Sequence, residues 1–216
     1  MAAPKKEKQI LMVSSAVYGF EELLDRIYAS LSTLDYEVWM SHKGTMPVYP
    51  GMTALESCRK AVQDCHLFLG IILPKYGTGK EKAADDSIVH EELREAIAGK
   101  KPRWILAHDH VVFARTFLSN LCKESKLKQA DLKIKRSHVF EDLRILDMYD
   151  LATRQDVEVY KDRKGNWVQK FGSTSEANLF AVSQFRRYQE AEAFVDDNFG
   201  SPKAIRKAIS KKGGKP

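Results

Sequence analysis

Short apolar runs alternate with amphipathic helical patterns over residues 10–108. The most apolar run, residues 66–73, has the length of a strand that is buried on both faces, and a glycine-bearing loop follows it. Strand-like runs also stand at residues 10–13, 36–40 and 103–108, with helical patterns at residues 20–34, 53–65 and 87–98. This alternation predicts a parallel sheet with helices on both faces.

The helix that precedes the fourth strand has a clear beginning and end. Ser87 follows two aspartates and is predicted to cap the first amide groups, while Gly99 is predicted to end the helix as its C′ residue. The predicted buried stripe consists of Val89, Leu93, Ala96 and Ile97.

Two adjacent glutamates on this helix differ in their expected surroundings. At about 100° per residue, Glu91 points away from the stripe and Glu92 lies on its border. A carboxylate at such a border is partly desolvated, so its pKa can rise. Glu92 is therefore the candidate catalytic residue, and the alternative is a surface helix that is merely rich in glutamate.

Ligands of parallel sheets bind beyond the carboxyl ends of the strands, near the point where strand order reverses. Serines at the end of the first strand could bind a phosphate or a ribose, and aromatic side chains near the same edge could stack on a base. The alternative roles are turn formation and core packing. The substrate-binding candidates are Ser14, Ser15, Tyr18, Trp39, Tyr76, Gly77 and Ser87.

Two common nucleotide-binding motifs are absent. Lys80 follows Gly79 as in a P-loop, but the next residue is Glu81 instead of serine or threonine, so an ATPase is rejected. No GxGxxG motif follows the first strand, so a standard dinucleotide-binding site is not supported. His108-Asp109-His110 alone is weak support for a metal, and no metal site is predicted.

The composition limits the class of protein to which the chain can belong. The chain has 216 residues, 44% of them hydrophobic, and no apolar run approaches the length of a membrane span. We therefore expect a cytoplasmic protein. Its three cysteines, Cys58, Cys65 and Cys122, lack metal-type spacing, and the first two are expected to be small buried residues.

The net charge of +6 comes from the C-terminal tail. Of 35 basic residues, six lie in residues 201–216, which contain no acid, so the rest of the chain is balanced by its 29 acidic residues. Binding to nucleic acid is therefore not expected, except through this tail.

The alternation weakens after residue 110. Residues 111–125, 137–152 and 173–199 have helical patterns, and residues 157–161 and 167–171 resemble the two strands of a hairpin. The predicted organisation is a disordered lead (1–9), an α/β domain (10–110), a mainly helical extension with one hairpin (111–200) and a basic disordered tail (201–216).

Three stretches of the α/β region occur in a characteristic order and spacing. They are residues 10–15 before a helix, residues 65–72 leading to Tyr76 and Gly77, and residues 87–96 before residues 99–102. Together they resemble a bacterial TIR-like family, which is catalogued as a domain of unknown function and is related to Toll/interleukin-1 receptor domains and nucleoside 2-deoxyribosyltransferases. The resemblance covers roughly residues 9–110 and implies a flavodoxin-like/TIR-like parallel sheet.

The resemblance also implies an activity. Residues 89–93 resemble the motif of NAD-cleaving TIR domains, in which a glutamate handles the nicotinamide ribose, and that glutamate corresponds to Glu92. It implies NAD as substrate without a further cofactor, an oxocarbenium-like transition state, and self-association in prokaryotic defence or signalling. Two alternatives stay open. One is a non-catalytic module that binds itself or a partner protein through its TIR-like surfaces, and the other is a nucleoside N-glycosidase or deoxyribosyltransferase.

Overall fold

The structure is a computed structural model that describes residues 8–79, 86–125, 132 and 140–199, the last nine by their backbone alone. Its strands are β1 (Ile10–Ser15), β2 (Glu37–Trp39), β3 (Leu67–Ile72), β4 (Arg103–His108) and β5 (Val168–Phe171). Its α-helices are α1 (Glu21–Ser32), α2 (Ala54–Asp64), α3 (Ile88–Ala98), α4 (Asp109–Ser125), α5 (Arg144–Ala152) and α6 (Thr174–Phe199).

The strands form one parallel sheet in the order β2-β1-β3-β4-β5. The predicted flavodoxin-like α/β fold is therefore confirmed. In this order β2 and β3 lie on opposite sides of β1. The point where the strand order reverses is therefore between β1 and β3. Ser14 pairs with Gly70 and Ser15 with Ile71, which aligns the carboxyl ends of the two strands at that point.

Each face of the sheet carries its own hydrophobic core. One core joins the sheet to α1 and α6, and it contains Leu24, Ile27 and Phe185 among its fully buried side chains. The other core joins the sheet to α2, α3 and α5, and it includes Phe68 and Leu93. Burial on both faces explains why β3 is apolar at every position.

The helix boundaries follow from capping. Thr53 and Glu56 form a reciprocal capping box at the start of α2, and the Ser87 hydroxyl accepts a hydrogen bond from the His90 amide, as predicted for α3. The predicted end of α3 needs a correction. Gly99 keeps a negative φ of −73°, and the left-handed conformation falls on Lys100, at a φ of +50°.

The prediction of a hairpin after residue 156 is wrong. Residues 157–161 form no strand and run into a short 3-10 helix, Tyr160–Asp162, and β5 pairs in parallel with β4. Val159 and Tyr160 are 49% and 77% exposed, so the alternation of this segment does not bury one face. Phe171, at the end of β5, is buried in the first core.

The region beyond residue 110 is thus integrated into the sheet. The Tyr36 hydroxyl donates a hydrogen bond of 2.9 Å to the Phe185 carbonyl oxygen in α6, and the Phe185 ring lies 4.8 Å from that of Trp104 on β4. The predicted extension therefore supplies both a strand and a layer of the core.

Some predictions fall outside the described residues. These are most of the disordered lead, residues 137–139 of the helix expected over residues 137–152, and the basic tail of residues 201–216. Residues 140–143 of that predicted helix are described and are not helical, because α5 begins at Arg144. Among the residues that are described, no helix is long and apolar enough to cross a membrane.

Candidate active site

Glu92 is more deeply buried than its place on the border of the stripe predicted. The residue is 5% exposed and lies on the side of α3 that faces β1 and α2. The Ser14 hydroxyl, at the carboxyl end of β1, donates a hydrogen bond of 2.5 Å to its Oε2 atom. The structure thus joins the predicted catalytic residue to one predicted substrate-binding residue.

Cys58 of α2 completes this group. Its thiol is hydrogen-bonded to the Glu92 carboxylate, and burial together with the neighbouring carboxylate raises the thiol pKa to about 12. The thiol therefore stays protonated and donates its hydrogen. Sequence analysis identified Cys58 only as a small buried residue, and its spacing alone gives no sign that it faces Glu92.

The carboxyl group of Glu92 has a strongly perturbed pKa. Burial raises it from 4.5 to about 7, although the hydrogen bonds from Ser14 and Cys58 act in the opposite direction. At neutral pH the protonated and ionised forms therefore coexist. A carboxyl group that titrates near the operating pH is suited to acid–base or electrostatic catalysis.

Three loops meet near the carboxyl end of β1. Gly77 follows β3 with a φ of +84°, and a Cβ atom there would lie 3.7 Å from the Ala16 side chain and 3.9 Å from that of Ser87. Ser87 is fully buried at the start of α3. Ser14, Gly77, Ser87 and Glu92 therefore belong to one region at the reversal point of the sheet.

The other polar and aromatic candidates are placed differently. The Ser15 hydroxyl bonds to the Ala16 carbonyl oxygen at 2.9 Å, which is the turn-forming alternative. Tyr18 is 84% exposed in the loop after β1, so its ring is accessible at the carboxyl edge. Trp39 is almost buried, and its indole nitrogen donates to the Glu37 carboxylate at 2.8 Å.

Tyr76 does not fit its predicted role of stacking on a base. It is 1% exposed, and its hydroxyl lies 2.9 Å from both the Asp86 carboxylate and the His90 Nδ1 atom. Asp86 also forms an ion pair of 2.8 Å with Arg94. The ring is therefore fixed between β3 and α3, where it supports the loop that contains Gly77.

Sequence analysis missed the burial of His90. Its side chain is 1% exposed, and burial lowers its pKa. The available signal was its position, since His90 precedes Leu93 by three residues and Ile97 by seven, a helical spacing that places it on the stripe.

A separate group of possible metal ligands lies at the end of β4. His108, Asp109 and His110 each offer one ligand atom, and these atoms all lie within 4.8 Å of one another. The His108 ring contacts Phe171, a residue of the core that includes α1 and α6. The group is therefore on the opposite face of the sheet from α3 and Glu92.

Comparison with known families assigns residues 11–158 to a domain of unknown function, DUF4062. The chain belongs to the DUF4062 family. The match spans the elements from β1 to α5 and ends before β5, and it agrees with the predicted resemblance to a family of unknown function. No curated protein matches the chain. A relationship of DUF4062 to TIR domains stays a prediction.

Proposed function

We propose that this DUF4062 protein cleaves the bond between nicotinamide and ribose in NAD, with Glu92 as the catalytic carboxylate. The observation that carries the proposal is a buried carboxyl group, with a pKa raised to about 7, beside the carboxyl end of β1. It lies where ligands of open α/β sheets bind. A role in prokaryotic defence or signalling belongs to the same proposal.

The chemistry needs a negative charge near the anomeric carbon. As the bond from the anomeric carbon to nicotinamide breaks, its electron pair returns to the ring nitrogen and positive charge develops on the ribose. The ionised Glu92 carboxylate stabilises that charge. In hydrolysis, a water oxygen then bonds to the anomeric carbon and loses a proton, which the carboxylate accepts. The products are nicotinamide and ADP-ribose.

Ser14 and Cys58 hold the carboxylate in place for this step. A carboxylate has about four lone-pair positions for hydrogen bonds, and these two side chains occupy two of them. The remaining positions are available for the two ribose hydroxyl groups. The positive charge of the bound nicotinamide ring also favours the ionised form of Glu92.

Access to the carboxylate requires movement of the neighbouring loop. Glu92 is 5% exposed, whereas Tyr18 in the adjacent loop between β1 and α1 is 84% exposed. In the proposal this loop opens for substrate, and Tyr18 packs on the nicotinamide or adenine ring when the loop closes. Self-association of the chain assists this opening, so activity is expected to rise with protein concentration.

The test is a substrate panel analysed by chromatography. Concentrated protein is incubated separately with NAD, with purine and pyrimidine nucleosides and with 2-deoxynucleosides, and the released bases are quantified. Nicotinamide release from NAD alone, lost in a Glu92→Gln variant, is the expected result. Release of bases from nucleosides, with NAD intact, would replace the proposal by the nucleoside N-glycosidase alternative.

A non-catalytic interaction module is the second candidate, and one observation favours it. Phe113, Phe117 and Leu121 are spaced by four residues along α4 and are 70%, 55% and 41% exposed. Exposed apolar side chains on one helical face are common at protein interfaces. This alternative predicts that Phe117→Ser reduces self-association or partner binding, whereas Glu92→Gln leaves both intact and no substrate is consumed.

A further inference from the structure

Three consecutive side chains converge where β4 passes into α4. His108 is the last residue of the strand, and Asp109 and His110 begin the helix. The Asp109 Oδ1 atom lies 2.9 Å from the His108 Nδ1 atom and 4.0 Å from the His110 Nε2 atom. These three atoms belong to the residue types that bind transition metals in proteins.

The carboxylate oxygen at the centre of this group lacks a hydrogen-bond donor. Asp109 Oδ1 is out of contact with solvent and accepts no hydrogen bond from the part of the chain that the structure describes. The nearest atom, His108 Nδ1, itself accepts a hydrogen bond of 3.2 Å from the His110 amide. The two atoms are therefore in contact without a hydrogen bond between them, and a cation bound between the carboxylate and the imidazoles would stabilise the buried oxygen.

The surroundings keep the first imidazole in place, while the His110 side chain and the atoms of the Asp109 side chain other than Oδ1 are accessible to solvent. The His108 ring packs against the rings of Phe20 and Phe171, at 5.7 Å and 5.3 Å between centroids, and its side chain is 14% exposed. The side chains of Asp109 and His110 are 43% and 52% exposed. An ion could therefore reach the group from solvent without disturbing the core.

A second carboxylate approaches the same place. The Gly172 amide donates a hydrogen bond of 2.7 Å to Glu176 Oε2. A Cβ atom on Gly172 would lie 3.1 Å from Asp109 Oδ2 and 3.6 Å from Glu176 Oε2, so any side chain at position 172 would fill the space between the two acids. Glu176 is therefore suited to bind a metal-bound water molecule or to serve as a further ligand.

We propose that His108, Asp109 and His110 bind a divalent transition-metal ion of the zinc or nickel type. Ligand bonds of about 2.0–2.2 Å place neighbouring ligand atoms roughly 3–3.5 Å apart, and the separations of 2.9 Å and 4.0 Å from Asp109 Oδ1 bracket this range. On binding, the ion takes the single lone pair of His108 Nδ1 in place of the His110 amide hydrogen. Two imidazoles with one carboxylate select such ions over calcium and magnesium, which prefer oxygen ligands. Three protein ligands leave a coordination position open to water.

The experiment measures zinc binding by the full chain, purified without a polyhistidine tag and stripped of metal with a chelator. Competition with a fluorescent zinc indicator gives the affinity and the stoichiometry. Wild-type protein is expected to bind one zinc ion, and His110→Ala is expected to bind it at least about 10-fold more weakly. Since His110 is half-exposed, this variant is expected to keep its thermal stability in the absence of metal.

His42→Ala is the matched control, because His42 pairs with Asp25 at a different place on the surface. It is expected to bind zinc as the wild type does. Cobalt provides a second readout, since cobalt bound by His108 and His110 gives a visible absorption band that His110→Ala removes. Equal affinity of His110→Ala and wild type, or equal weakening in His110→Ala and His42→Ala, would overturn the proposal.

Discussion

Replacement of Glu92 by glutamine is expected to change how the stability of the protein depends on pH. The carboxyl pKa rises from its ordinary value of 4.5 to about 7 in the folded protein, because burial disfavours the charged form. The folded state therefore retains a proton that the unfolded chain loses. This contribution to stability is complete below pH 4.5 and is lost as the pH rises through 7.

The magnitude follows from the size of the pKa change. At about 1.36 kcal/mol for each pKa unit, the rise to about 7 corresponds to about 3 kcal/mol of unfolding free energy. Glutamine is neutral at every pH, and its amide oxygen can still accept the hydrogen bond from Ser14. As the pH rises from 4.5 to 8, the unfolding free energy of Glu92→Gln is therefore expected to increase by about 3 kcal/mol relative to that of wild type. This corresponds to roughly 6–12 °C in melting temperature.

Urea denaturation of both proteins at intervals from pH 4.5 to pH 8 measures this difference. All other titrating groups are common to the two proteins, so the difference between their unfolding free energies isolates Glu92. Glu91→Gln is the control, since Glu91 is on the same helix in a partly exposed ion pair with Arg59. If Glu92→Gln differs from wild type by the same amount at pH 5 and pH 8, the assigned pKa and the argument from burial are refuted.

Three further predictions concern the fold and the reaction. Phe185→Ala removes a fully buried ring that packs α6 against the sheet, so it is expected to lower the unfolding free energy by about 3–5 kcal/mol. Urea denaturation measures this change, and unfolding is expected to remain a single transition. Gly70→Val is expected to cost about 1–3 kcal/mol in the same assay, because even a Cβ atom at position 70 would lie 2.8 Å from the Ile105 side chain. The rate of nicotinamide release is expected to rise with pH through about 7, as Glu92 ionises, and a rate that falls over this range in a pH-rate profile would contradict that role.

The first four strands could be predicted because each is a short apolar run between helical patterns. Residues 66–73 and 103–108 correspond closely to β3 and β4. The fifth strand was recognised as a strand but given the wrong partner. Residues 157–161 and 167–171 have similar alternation, so the local pattern suggests that they pair with each other. The actual partner of residues 167–171 is set by the long-range pairing of Ile105 with Val168, which local alternation does not reveal.

The site was predictable only in part. The helical period placed Glu92 on the border of the buried stripe, but its depth depends on α2, which covers the same side of α3. The hydrogen bond from Ser14 and the thiol of Cys58 come from residues 78 and 34 positions away, and no local pattern indicates them. The position of Tyr76 depends on Asp86 and His90 in the same way.

The decisive measurement for the role of Glu92 is nicotinamide release at pH 8 over a series of protein concentrations. It compares wild type with Glu92→Gln and Glu91→Gln. We predict release by wild type and by Glu91→Gln that increases more than proportionally with concentration, and none by Glu92→Gln. Equal release by all three proteins, or none by wild type at the highest concentration, would contradict the assignment of Glu92 as the catalytic carboxylate of an NAD-cleaving enzyme.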